Sequence, residues 1–156
     1  SIDAVLVPVS GGGLITGVAV AVKSYFPNVG VHPVEPIGYD DLKQTLECGE
    51  LTKNPPNNVA STLCDSLMSP QMGPIPYSVS KSLLSPGFAG SDDDVLKGMY
   101  LAWHYLKIVL EPGGALPLGV LFRDRNIFQG KTVVVVASGG NVDPEVFAQC
   151  LNGVQI

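Results

Sequence analysis

The sequence predicts an α/β fold on a mostly parallel sheet, and three observations carry that prediction. A continuous apolar run, Ala4 to Val9, ends in Ser-Gly-Gly-Gly and feeds a helical segment. A second run, Thr132 to Ala137, ends in Ser-Gly-Gly. Between them strand-like and helix-like segments alternate, as in βαβ units whose strands are buried on both faces and read as unbroken apolar stretches.

In order along the chain, Ala4–Val9 reads as a buried strand. Leu14–Phe26 reads as a helix stopped by Pro27, apolar nearly all round and so expected to be buried. Val31–Val34 is a second strand, ending at Glu35-Pro36, and closes a βαβ unit. Asp40-Asp41 opens a short helix to about Glu47. From Gly49 to Gly90 the chain is rich in Pro, Asn and Ser without periodicity and reads as loops and small strands. Ser91 followed by Asp92, Asp93 and Asp94 is a capped helix start with acids in the first turn. Val95, Met99, Ala102, Leu106 and Val109 continue it at helical spacing up to Glu111-Pro112. "GGALPLGVLF" is a packed helix, Thr132–Ala137 a strand, and Pro144–Leu151 a last helix with proline in its first turn.

One domain spanning residues 1–156 suits the length, which suffices to bury about two thirds of the unfolded chain's surface. With 46% hydrophobic and 15% charged residues, disorder is excluded. Nine Lys plus Arg against 14 Asp plus Glu give a net charge of −5, and without a basic stripe nucleic acid has no electrostatic footprint. Cys48, Cys64 and Cys150 form neither a CxxC pair nor a zinc-spaced set, which points to a reducing, cytoplasmic setting rather than a disulfide framework. The longest apolar stretch, Leu14–Val22, is too short for a bilayer, so no membrane association is expected. The chain opens almost at once in a strand without an initiating methionine, as a portion of something longer would.

A strand ending in glycines at a helix mouth is a generic anion site, because first-turn N–H groups are unpaired and the helix dipole is positive there. A P-loop is excluded, since no GK[ST] follows at the required spacing. A nicotinamide-dependent oxidoreductase reading remains open, with Gly11, Gly13 and Gly17 as a loose GxGxxxG and Glu35 as the ribose-binding acid. So does a phosphate held by backbone alone, as pyridoxal phosphate often is. In a parallel sheet the carboxyl ends of strands share one edge, so Ser10–Gly13 and Ser138–Gly140 can meet on one compact ligand.

"SGGGL", "VEPIGYDD", "KIVLEPGGA" and "SGGNVD", in this order and at these intervals, resemble the C-terminal half of the threonine dehydratase and serine racemase family of pyridoxal-phosphate enzymes. The resemblance covers the whole chain and implies fold type II, the tryptophan-synthase-β-like three-layer α/β sandwich. It implies that Ser10, Gly11, Gly12, Gly13 and Leu14 bind the cofactor phosphate. Ser138 would hydrogen-bond the pyridine nitrogen, with Gly139, Asn141 and Glu111 beside the ring. It also implies an oxygen-ligand site for Mg²⁺ or Ca²⁺ at Glu35, the Tyr39 carbonyl and Asp41. The implied reaction is dehydration of a β-hydroxy amino acid, such as serine, threonine or hydroxyaspartate, to a 2-oxo acid and ammonia.

The family's Schiff-base lysine sits in a Ser-Phe-Lys-x-Arg-Gly type of segment, and none of Lys23, Lys43, Lys53, Lys81, Lys97, Lys107 and Lys131 has that context. The substrate-carboxylate loop is missing too. No catalytic residue is therefore assigned, and the chain by itself is expected not to turn over. Uncovered strand edges and helix faces lead to the expectation of a homo-oligomer. The alternative is a non-catalytic domain that binds a phosphate compound or itself. His32 and His104 have no ligand-spaced partner and are read as packing residues. Cys64 lies in the stretch that passes near the cofactor in the family.

Overall fold

The computed structural model describes residues 1–55 and 61–153. The elements are β1 (Ala4–Pro8), α1 (Gly13–Tyr25), β2 (Gly30–Pro36), α2 (Asp41–Cys48), α3 (Pro74–Ser80), β3 (Phe88–Gly90), α4 (Asp92–Leu101), α5 (Pro112–Arg123), β4 (Val133–Val135) and α6 (Pro144–Gly153). The sheet runs β3-β2-β1-β4 and every pairing is parallel. Alternate residues of β1 face opposite layers. Ala4 and Leu6 pack on α4, α5 and α6, whereas Val5, Val7 and Val9 pack on α1 and α2. Helices on both faces make the expected three layers, and explain why β1 is buried at all five positions.

The layer beneath β1 is held by an unusually close crossing of α4 and α5. A Cβ on Gly98 would strike the carbonyl oxygen of Ala115 and come within 2.9 Å of the Gly119 nitrogen; one on Gly119 would strike the Asp94 carbonyl. The expected cap is present: Ser91 Oγ accepts from Asp94 N, and Asp94 Oδ2 accepts from Ser91 N at 2.9 Å. Arg123, at the far end of α5, donates to the same Asp94 carboxylate at 2.6 Å. One carboxylate thus caps α4 and ties it to α5.

Four expectations are corrected. α1 is not buried all round: only Ile15 and Ala19 are, while Leu14 and Val20 are exposed, because the sheet covers a single face of the helix. The strand expected over Thr132–Ala137 is laddered only at Val133–Val135, and Val134 is 38% exposed, since β4 is a sheet edge with β1 as its one neighbour. The helix expected to run from Val95 to Val109 changes after Leu101 into a π-helical turn over Ala102–Leu106, ending at Lys107 with φ 60°. The wider turn rotates the face, and Leu106 and Val109 are left exposed. Within the stretch read as loops, α3 forms despite two prolines, because Pro74 sits at its start and α1 supplies a partner, Thr16 Oγ1 donating to Pro76 O at 3.3 Å. Residues 56–60 of that stretch lie outside the described residues.

Candidate active site

Parallel pairing puts the carboxyl ends of β1 and β4 side by side, with Leu6 opposite Val135 and Val136 N donating to Leu6 O at 3.0 Å. The two glycine loops therefore leave the sheet from neighbouring strands at one edge. At the first, Gly12 has φ 91° and serves as N-cap of α1 without any side-chain cap. The first i to i−4 bond runs from Thr16 N to Gly12 O, so the N–H groups of Gly13, Leu14 and Ile15 have no acceptor within the helix. A Cβ on Gly13 would meet nothing within 4 Å. Gly13 and Leu14 are exposed, and no acid in the first turn offsets the positive end of the helix.

At the second loop, Gly139 O accepts from Glu111 N at 3.0 Å. A Cβ on Gly139 would come within 2.6 Å of Glu111 Oε1, and one on Gly114 within 2.7 Å of Gly139 O. The loop is thus pressed onto the start of α5, which fixes Glu111 beside it. Ser138 is exposed, and Asn141 lines a cleft of about 100 Å³ with Asp65, Pro112 and Asp143.

A third segment, residues 64–73, joins the two loops; the sequence marked it only through the family resemblance, which places the stretch around Cys64 near the cofactor. Ser69 Oγ accepts from Ser10 Oγ at 2.8 Å, and Ser66 Oγ lies 3.5 Å from Glu111 Oε1. Gly73 N donates to Gly11 O at 3.1 Å. The Met72 side chain fills the space where a Cβ on Gly12 would stand, 2.5 Å from its Cε. Cys64 is fully buried in this segment, and burial pushes its thiol up to about 12, so it is no thiolate at neutral pH.

The acidic corner lies at the end of β2. Glu35 is buried, its Oε1 accepting from Leu42 N at 3.0 Å and its Oε2 from Lys43 N at 2.7 Å. It caps α2 from outside. Burial drives the Glu35 carboxyl up to about 8, assisted by the charges of Asp41 and Asp40 and opposed by the two N–H donors. Asp41, also buried and raised by burial, accepts from Asn54 Nδ2 at 2.8 Å and Met72 N at 2.7 Å. Tyr39 is buried between them in sequence, its N–H bonded to Pro36 O. Among the described residues no cluster of three or more His, Cys, Asp or Glu forms a metal site, so a cation here needs the backbone carbonyl.

The open helix mouth with no side-chain cap and the exposed serine on the adjacent strand fit a phosphate-bearing ring. A family model described as pyridoxal-phosphate dependent enzyme matches residues 1–139. The chain belongs to that family. Serine racemase of Dictyostelium discoideum is 33% identical over 156 residues, covering 97% of this chain and 47% of that protein. The beta-hydroxyaspartate dehydratase of Paracoccus denitrificans (strain Pd 1222) is 32% identical, covering 91% of this chain and 44% of that protein. Among solved structures, maize serine racemase superposes with a TM-score of 0.84 at 30% identity, over 97% of this chain and 48% of that one. The processed form of threonine deaminase isoform 2 from Solanum lycopersicum gives a TM-score of 0.86 at 26% identity, over 96% and 41%. The chain spans just under half the length of the relatives it matches. Membership of this family does not support the nicotinamide reading, in which Glu35 would bind a ribose.

Six of the seven lysines have partners outside the two glycine loops. Lys23 donates to Pro27 O, Lys43 pairs with Glu47, Lys107 donates to His104 O, and Lys81, Lys97 and Lys131 lie over the rings of Tyr77, Phe122 and Phe128. Cys48 is exposed, Cys64 and Cys150 are buried, and all three are free thiols. No helix among the described residues is long and apolar enough to cross a membrane.

Proposed function

We propose that this chain is the cofactor-cupping portion of a pyridoxal-phosphate-dependent dehydratase acting on a small β-hydroxy amino acid, and that alone it binds the cofactor without turning it over. One observation carries the reading: two glycine loops leave adjacent parallel strands at one edge, the first around an uncapped helix N-terminus. The N–H groups of Gly13, Leu14 and Ile15 hold the phosphate, with Ser10 and the backbone of Gly11 and Gly12 shaping the cup. The Ser138 hydroxyl would donate to the ring nitrogen without fixing a charge on it, which suits a β-elimination. Glu111, Gly139 and Asn141 border the ring. When bound, pyridoxal phosphate supplies the electron sink for the charge left at the substrate α-carbon. The proton at that carbon has no lysine to receive it in this chain.

The test is a binding comparison. Pyridoxal phosphate is expected to bind and pyridoxal, lacking the phosphate, at least about tenfold more weakly, a difference of about 1.4 kcal/mol. Borohydride treatment should leave no cofactor mass on the protein, and serine, threonine and β-hydroxyaspartate should yield no 2-oxo acid. Equal affinity for the two compounds sinks the reading.

Two further properties belong to this proposal. A divalent cation, Mg²⁺ or Ca²⁺, is held by Glu35, the Tyr39 carbonyl and Asp41; either ion then raises the melting temperature, and Glu35→Gln abolishes the rise. The chain also self-associates through the free edge of β4. An apolar groove of about 320 Å³ lined by Ile2, Val5, Val18, Val22, Val134 and Val136 adjoins that edge. The unpaired N–H and C=O groups of one β4 complement those of a second copy about a twofold axis. Light scattering at micromolar concentration should report a dimer, and Val134→Lys a monomer; a monomeric unmodified chain overturns this. The free thiols suit a cytoplasmic setting.

A further inference from the structure

Asn54 is 5% exposed and lies 13 residues along the chain from Asp41 of the acidic corner, to which it is bonded. Its amide nitrogen bridges two elements, donating to Asp41 Oδ1 at 2.8 Å and to Ser69 O at 3.2 Å. Its backbone N–H donates to Pro70 O at 2.9 Å. Asp41 continues the chain of bonds through Oδ2, which accepts from Met72 N at 2.7 Å. Residues 69–72 are therefore gripped from one side at Ser69, Pro70 and Met72.

On its other side the same short segment supports the glycine loop at three consecutive residues. Ser69 Oγ receives Ser10, Gly73 N reaches Gly11 O, and Met72 fills the space beside Gly12. The side chain of Asn54 keeps this arrangement at a cost. Its Oδ1 is buried and has no hydrogen-bond partner among the described residues, so the amide is retained there for its two donors. An isosteric aspartate would remove both and set a second charge against Asp41.

We propose that Asn54 is a positioning residue for the phosphate cup, acting through Asp41 and residues 69–73 to fix the Ser10–Gly12 loop. The cup and the acidic corner are then one mechanical unit, although they belong to different βα connections. The part of this inference that concerns phosphate rests on the function proposed above; the coupling itself does not.

The experiment follows amide hydrogen exchange and ligand affinity together in this chain and in Asn54→Ala. Exchange at Thr16, Met72 and Gly73, whose N–H groups are bonded to Gly12 O, Asp41 Oδ2 and Gly11 O, is expected to accelerate by about tenfold or more, while the amides of α4 and α5 keep their rates. Affinity for pyridoxal phosphate should fall by about fivefold or more, with pyridoxal binding unchanged. Unaltered exchange at Thr16 and Gly73, or acceleration spread equally over α4 and α5, overturns the proposal. If Asn54→Ala does not fold, Asn54→Ser, which keeps one donor, is read by the same criteria. Failure of the unmodified chain to bind pyridoxal phosphate counts against the proposed function, and the exchange pattern still decides the role of Asn54.

Discussion

Gly119→Ala is expected to destabilise the protein by about 3 kcal/mol or more, at the upper end for overpacking, and to lower the melting temperature by roughly 10 °C. The added Cβ meets the carbonyl of Asp94 and lies 3.2 Å from its Cα, and a backbone obstacle cannot rotate away as a side chain would. The roughly 1 kcal/mol that alanine gains over glycine in a helix is too small to offset this. The helices must separate. Separation breaks the contact between Arg123 and Asp94 and displaces the start of α5, where Glu111 meets Gly139. Gly98→Ala, whose Cβ meets Ala115 O from the facing helix, should behave alike. Thermal unfolding measures both, and a loss under 1 kcal/mol in either would show that the helices yield more readily than their contacts imply.

Gly13→Ala separates ligand binding from folding at the cup. Its Cβ meets no atom within 4 Å and its φ is not in the left-handed region, so the protein should fold with unchanged or higher stability, by up to about 1 kcal/mol. On the proposed binding mode the methyl group stands where the phosphate would approach the helix mouth, and affinity for pyridoxal phosphate is expected to fall at least tenfold, or by about 1.4 kcal/mol. Gly12→Ala shows the contrasting pattern. At φ 91° a side chain costs about 1–2 kcal/mol, and the Cβ also displaces Met72, so stability and binding fall together. Calorimetric titration with parallel thermal melts checks the pair; undiminished affinity in Gly13→Ala would remove the phosphate from this helix mouth.

Much of the architecture was legible because local chemistry and tertiary context agree. Ala4–Val9 had to be a strand covered on both faces, and Ser91 with Asp94 had to start a helix, since each signal is complete within a few residues. Where the reading failed, a distant partner decided. α3 forms from a proline-rich stretch because α1 lies against it, and β4 is short and half-exposed because it has a single neighbouring strand. The site shows the same division. Ser10–Leu14 and Ser138–Asn141 announce themselves as glycine turns after strands, whereas no local pattern singles out Ser66, Ser69 and Met72 within their irregular stretch.

What the sequence determined by itself is the set of βα turns, their glycines and their order, and with them the resemblance to a family of pyridoxal-phosphate-dependent enzymes. The tertiary structure alone decided which segment braces that turn. Ser69 reaches Ser10 across 59 positions and Asn54 reaches Ser69 across 15, contacts that no periodicity or capping rule encodes. A turn residue is fixed by the backbone angles of its neighbours in sequence. A bracing residue is fixed only by where the folded sheet sets two remote segments side by side.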